Sequence, residues 1–267
     1  MDDPVMKLIA LALLGLAGCA SGDGNYIARM TAAERAGVPL TPITASRPAI
    51  SIAQAYRLQQ RYVRERLRAG GHVAGYKGGL MSAASMAGRG VDEPLVGVLF
   101  ADGRADADGT VSLCGYRKAA FELKLGHENG HVLPVIDLPD IAYRDPAHYG
   151  AVDMVAANIS AARYVRGAAQ PTGGRDLDAL RVTLTRDGQP VTSGTAGESL
   201  NGQDASVEAV KALARRAGYA PRPADLIVTG KIGERGWLLP GRYIADYGRL
   251  GRVAFTVTAC ATSTGRT

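Results

Sequence analysis

The side chain best placed for chemistry in this sequence is Lys77, in the run Val73-Ala74-Gly75-Tyr76-Lys77-Gly78-Gly79-Leu80-Met81-Ser82. A single ammonium on a short strand that enters a glycine-rich turn is held by a rigid element, and the glycines let backbone or ligand come close. The bland account of the same run is a strand with a surface lysine. A second candidate, His127-Glu128-Asn129-Gly130-His131, matches the H-E-x-x-H zinc pattern letter for letter. That pattern works on a helix, where positions i and i+4 face one ion and the glutamate activates water. Here it contains Asn-Gly, a turn signal, and joins two strand-like runs, so a polar hairpin tip is expected instead. There is no Gly-x-Ser-x-Gly elbow, and neither Gly70-Gly71 nor Gly78-Gly79 has a P-loop or dinucleotide pattern. His148 and Tyr149 fall in a polar loop, and Trp237 is expected near a pocket mouth or a subunit contact.

The elements that must position Lys77 are legible from pattern. Ser51 can cap a helix running to about Ala69, with Ala53, Tyr56, Leu58, Val63 and Leu67 on its apolar side and Gly70-Gly71 ending it. After the Lys77 strand a small-residue loop through Gly90 has the composition of a lid. Strands are expected over Leu95 to Phe100, Val111 to Leu125, Val132 to Leu138, Asp225 to Gly230 and Val253 to Thr258. A hairpin is expected over Asp187-Gly188. Val152 to Arg166 is mixed, and Ser206 to Ala217 reads as a second helix closed by Gly218. Strands with two good helices point to an α+β fold.

The chain has 267 residues, 46% hydrophobic and 21% charged, enough for one sizeable core. Lys7 is followed by the apolar run Leu8 to Leu16 and then Leu16-Ala17-Gly18-Cys19, which resembles a bacterial lipobox. Residues 1–18 are therefore expected to be a lipoprotein signal peptide, with Met1 or Met6 as the start. Lipid on Cys19 would anchor the chain on the periplasmic side, and Ala20 after it points to the outer membrane. Residues 19–48 read as a tether and N-terminal arm, and 49–267 as the domain. The net charge of +6 suits an anionic surface or acidic small molecules; the arginines are scattered without aromatic interleaving, which argues against nucleic acid. Cys114 and Cys260 could pair in an oxidising compartment, and their spacing leaves the question open.

Five short stretches, in order, resemble the 2-keto-4-pentenoate hydratases of the fumarylacetoacetase superfamily. They are Gly75-Tyr76-Lys77 through Gly79-Leu80 and Ser82; Gly97-Val98-Leu99-Phe100; Ala157-Asn158-Ile159-Ser160; Asp225 to Gly230; and Pro240-Gly241. The resemblance spans roughly residues 50 to 258 and implies that family's mixed β-sheet roll or barrel with flanking helices. It also implies a homo-oligomer and a small 2-oxo or enol acid as substrate.

Those hydratases hold Mg²⁺ or Mn²⁺ with a Glu-x-Glu strand and a further carboxylate, since residues two apart share a strand face. Aligning Leu125-Gly126 with the family puts Lys118 and Ala120 at the Glu-x-Glu positions and Asp137 at the third. The ligand pair is then lost and no metal cofactor is expected; a shifted register would return Glu122 beside Asp137. Lys118 either supplies the missing charge to a carboxylate or enolate, or forms a plain salt bridge with Asp137. The resemblance implies a hydratase or decarboxylase acting through a dienolate. Lys77 would then be proton donor or carboxylate anchor, Asp137 base or water-orienting group, and Ser82, Asn158 and Ser160 substrate contacts. The other reading is a non-catalytic envelope lipoprotein that keeps the fold as a binding or structural module.

Overall fold

In the computed structural model, residues 22–145 and 148–260 are described. The leader and Cys19 lie outside them. Five α-helices are present among the described residues: α1 Gly22–Ala36, α2 Ile52–Arg68, α3 Ala83–Ala87, α4 Ala151–Ala156 and α5 Gln203–Arg216. The larger sheet has nine strands: β1 Val73–Gly79, β2 Leu95–Phe100, β3 Arg104–Asp106, β5 Ala120–Glu128, β6 His131–Leu138, β7 Arg163–Arg166, β8 Gln170–Pro171, β11 Leu226–Val228 and β12 Ile232–Trp237. The smaller sheet has five: β4 Thr110–Ser112, β9 Arg181–Arg186, β10 Gln189–Thr195, β13 Gly241–Asp246 and β14 Arg252–Thr258. The fold is α+β, with mixed sheets and a half-barrel.

The larger sheet runs β2-β1-β11-β5-β6-β7-β3, with β12 on β5 and β8 on β6. β1 lies parallel to β11 and antiparallel to β2, which sets Lys77 beside Val228 on one side and Gly97 on the other. β5 and β6 form a hairpin in which Glu122 stands directly opposite Asp137. Asn129 and Gly130 turn it with φ of 47° and 73°, the pair of left-handed residues such a two-residue turn needs.

Strand alternation divides the buried side chains of the larger sheet between its two faces. Tyr76, Val96 and Val98 face α2 and α5, where Leu58, Tyr62, Val210 and Leu213 cover them. Phe121, Leu123 and Leu125 pack against Val182, Leu184, Tyr243 and Phe255 of the smaller sheet. A third, smaller cluster of Leu99, Leu133, Val135, Tyr164, Leu226 and Val228 lines the remaining face of the larger sheet. The charged side chains described below sit on that face.

Three expectations are corrected. Residues 22–36, read as part of an arm, form α1, and Tyr26, Ile27 and Met30 of that helix are buried in the core. Tyr26 meets the hydroxyl of Tyr143 at 3.1 Å, and the loop after α1 is tied down where the Thr44 amide and hydroxyl donate to Asp153 at 3.0 and 2.8 Å. The expected long strand from Val111 to Leu125 is two strands in different sheets, β4 and β5. The segment between them carries Gly115 at φ 82° and a disulfide from Cys114 to Cys260. The loop from Leu80 to Gly90 contains α3, opened by a reciprocal capping box between Ser82 and Ser85. The capping box at Ser51 and Gln54 on α2 is where the serine pattern placed a helix start.

Candidate active site

Two lysines and two carboxylates converge on the inner face of the larger sheet. Lys77 Nζ donates to Asp137 Oδ2 at 2.7 Å, and both side chains are almost fully buried, at 4% and 1% exposure. Lys124, two residues along β5 from Glu122 and hence on the same face, is 2% exposed. Its ammonium lies 3.1 Å from Glu122 Oε2 and 4.0 Å from Asp137 Oδ2, and it donates to the carbonyls of Gly78 at 3.1 Å and Thr229 at 3.2 Å. The four charges balance, which is what lets Lys77, Lys124 and Asp137 stay buried, while the Glu122 side chain keeps 20% exposure.

Electrostatics within the quartet are directional. Burial would raise the Glu122 carboxyl, but Lys124, Lys77 and the hydrogen bond from Lys124 outweigh it and hold the group below the usual carboxylate range. Asp137 Oδ1, in contrast, is buried and has no hydrogen-bond partner. A buried carboxylate oxygen left open beside an ammonium is poised to accept a bond from a ligand.

A left-handed turn borders this site. Asn158, Ile159 and Ser160 have φ of 53°, 43° and 59°. Three consecutive left-handed residues, one of them β-branched, are costly and persist only where neighbours enforce them. The Asn158 amide does so: its Oδ1 accepts from Val98 N at 2.8 Å and its Nδ2 donates to Val98 O at 2.9 Å. Ile159 then packs on β2 where Gly97, the neighbour of Lys77, has no Cβ to block it.

The other candidates fall as follows. Lys118 precedes β5; its amide donates to Asp140, and its ammonium lies 4.1 Å over the ring of Trp237. The ion-pair partners of Asp137 are Lys77 and Lys124, so of the two expectations for Lys118 the salt bridge with Asp137 is corrected. Ser82 caps α3, and the Asn158 side chain is committed to Val98. The Ser160 carbonyl accepts from Asp140 N. His127 is buried against Gln203, while His131 is exposed and hydrogen-bonds its own turn, so this H-E-x-x-H pattern forms a hairpin and not a two-histidine helix face. Glu128 pairs with Arg166. His148 pairs with Asp145 at the surface, the Tyr149 ring packs tilted against Tyr143, and Trp237 is half-exposed under Lys118 and Arg235.

Lys124 is the residue that sequence reasoning missed. Its signal was available: Glu122 and Lys124 are charged residues two apart in a strand whose alternate positions, Phe121, Leu123 and Leu125, are apolar. Two charges on one face of a strand buried on the other imply a polar interior.

The mixed sheets with their half-barrel are the α+β fold of fumarylacetoacetase-type proteins. No family model matches the chain. It is 30% identical over 240 residues to a 4-oxalocrotonate decarboxylase of Pseudomonas putida, covering 79% of this chain and 88% of that one. It is 29% identical over 231 residues to a 2-keto-4-pentenoate hydratase of Paraburkholderia xenovorans (strain LB400), covering 78% and 84%. The solved 4-oxalocrotonate decarboxylase from Pseudomonas putida G7, complexed with magnesium and adipate, shares the fold with a TM-score of 0.82 at 24% identity, over 88% of this chain and 96% of that one. The chain belongs to the 2-keto-4-pentenoate hydratase and 4-oxalocrotonate decarboxylase family.

A divalent ion does not fit among the four charges as they stand. The oxygens of Glu122, Gly78 and Thr229 that face it already surround Lys124. An ion there would lie beside two ammonium groups, at a cost of about 4 kcal/mol per pair of unit charges at 4 Å and an effective dielectric of 20.

Proposed function

We propose that this chain is a hydratase-like lyase acting on a small 2-oxo or enol acid, with Lys77 and Asp137 as its proton-transfer pair. The observation that carries the reading is the buried Asp137, with one oxygen on Lys77 and the other without a partner. Hydration of a conjugated 2-oxo acid adds a proton to carbon and a hydroxyl from water, so it needs an acid, a base and positive charge beside the developing enolate. In this reading Lys77 donates the proton at carbon, the open oxygen of Asp137 takes the proton of the attacking water, and Lys124 adds a fixed charge nearby. Kinship to a 2-keto-4-pentenoate hydratase and a 4-oxalocrotonate decarboxylase supports the substrate class.

The test is turnover of 2-keto-4-pentenoate and of 4-oxalocrotonate, followed by loss of the enol chromophore, with Lys77→Met and Asp137→Asn alongside. Expected is turnover by the parent chain and a fall of about 10²- to 10⁴-fold in each variant, the usual weight of a positioned acid or base. Unchanged turnover in both variants overturns these roles. The second reading, a non-catalytic binding module, is favoured by the burial of Lys77, Lys124 and Asp137, each at most 4% exposed. Ligand binding without turnover selects it.

The same reading puts the chain on the periplasmic side, attached through lipid on Cys19, and self-associated. Membrane fractionation of Cys19→Ser tests the anchor; light scattering tests the assembly. Release of the variant into the soluble fraction is expected.

A further inference from the structure

Lys124 does not behave as half of a simple ion pair. Its ammonium is enclosed by oxygens from four different elements of the chain: the Gly78 carbonyl after Lys77 on β1, Glu122 on β5, Asp137 on β6 and the Thr229 carbonyl just past β11. One carboxylate and two backbone carbonyls within 3.2 Å, with the Asp137 carboxylate at 4.0 Å, are a donor set suited to a hard cation. An ammonium with three donors can fill the same set as a compact point charge. Charge counting agrees. Lys77 and Lys124 balance Asp137 and Glu122, whereas a divalent ion in place of Lys124 would leave one excess positive charge, and an empty position would leave one excess negative charge.

We propose that Lys124 is a tethered cation occupying the oxygen cage of Gly78, Glu122, Asp137 and Thr229, so that this chain carries covalently the positive charge a divalent metal would otherwise supply there. The parent protein then takes up neither Mg²⁺ nor Mn²⁺ at this place, and removing the Lys124 side chain creates a divalent-cation site. The proposal concerns which cation fills the cage and stands apart from whether the site turns over a 2-oxo acid.

The experiment is a Mn²⁺ titration read by electron paramagnetic resonance and by melting temperature, on the purified full chain and on Lys124→Ala and Lys124→Gln. For the parent, added Mn²⁺ is expected to keep the signal of the free ion, and neither Mn²⁺ nor EDTA is expected to move the melting temperature. Lys124→Ala is expected to bind one equivalent at least about 100-fold more tightly than the parent, as relief of one close charge repulsion allows. Adding Glu122→Gln is expected to abolish that gain. If neither variant folds alone, refolding in Mn²⁺ is the readout, and recovery supports the cage. Stoichiometric Mn²⁺ on the parent that Glu122→Gln releases overturns the proposal. So does a folded Lys124→Ala and Lys124→Gln pair that leaves Mn²⁺ free, or failure of both to refold in its presence.

Discussion

The two oxygens of Asp137 differ in kind. One is held by Lys77 at 2.7 Å and the other faces the interior without a partner. Replacing Lys77 with Met therefore strands a buried carboxylate whose remaining cation, Lys124, is 4.0 Å away. Breaking one partner of a buried pair costs about 3–5 kcal/mol, and urea unfolding of Lys77→Met should show a loss of that order. Glu122 gives a pH signature. Its folded carboxyl lies below the ordinary value because Lys124 and Lys77 outweigh the effect of burial. Its contribution to stability is then complete above the unfolded value, near 4.3, and is lost as pH falls through the lower folded value. Unfolding free energy measured from pH 6 down to pH 3 should drop for the parent, and less steeply for Glu122→Gln. A parallel decline in both would show that Glu122 is not the group responsible. Lys77 was legible because glycines and a strand pattern frame it, and Asp137 was singled out only through the family resemblance. Lys124 was missed although it alternates with apolar residues beside Glu122, because that local pattern does not say which other strands supply its partners.

At the level of elements, the left-handed turn at Asn158–Ser160 is the most constrained part of the site. Asn158→Ala removes both bonds to Val98 and leaves a buried N–H and C=O unpaired, at about 1–3 kcal/mol each. Thermal unfolding should reveal a loss of that size, arising from the unpaired Val98 groups. Ile159 supplies a sharper comparison. At φ 43° a residue with a Cβ is strained by roughly 1–2 kcal/mol relative to Gly. Ile159→Gly should therefore be more stable than Ile159→Ala by about 1 kcal/mol, the reverse of the usual order; the usual order in a denaturant titration would show that the turn stores no such strain. Helices α2 and α5 were legible from caps and apolar spacing. The helix α1 was not, since its sequence has almost no amphipathic period and its burial comes from the aromatic and aliphatic residues of distant segments.

Across the molecule, two features bear on stability. The disulfide joins positions 146 apart in sequence and ties the segment between the sheets to the end of β14. Closing a loop of that length restricts the unfolded chain, so reduction should cost about 2–5 kcal/mol, seen as a lower denaturation midpoint in reductant. The second is α1. A chain truncated to begin at Ala49, the expected start of the domain, loses the buried side chains of Tyr26, Ile27 and Met30. At about 1.5–3 kcal/mol each this approaches the whole stability of an ordinary domain, and circular dichroism of the truncated chain should report an unfolded or aggregated state. The α+β class, the Lys77 strand, the Asn-Gly and Asp-Gly hairpins and the helix caps could be read from residue order, because each is a local property of turn chemistry and short-range periodicity. Non-local pairing supplied the rest. The register that sets Glu122 against Asp137, the two carbonyls that close on Lys124 and the burial of α1 all depend on which strands and helices meet, and no window of neighbouring residues contains that information.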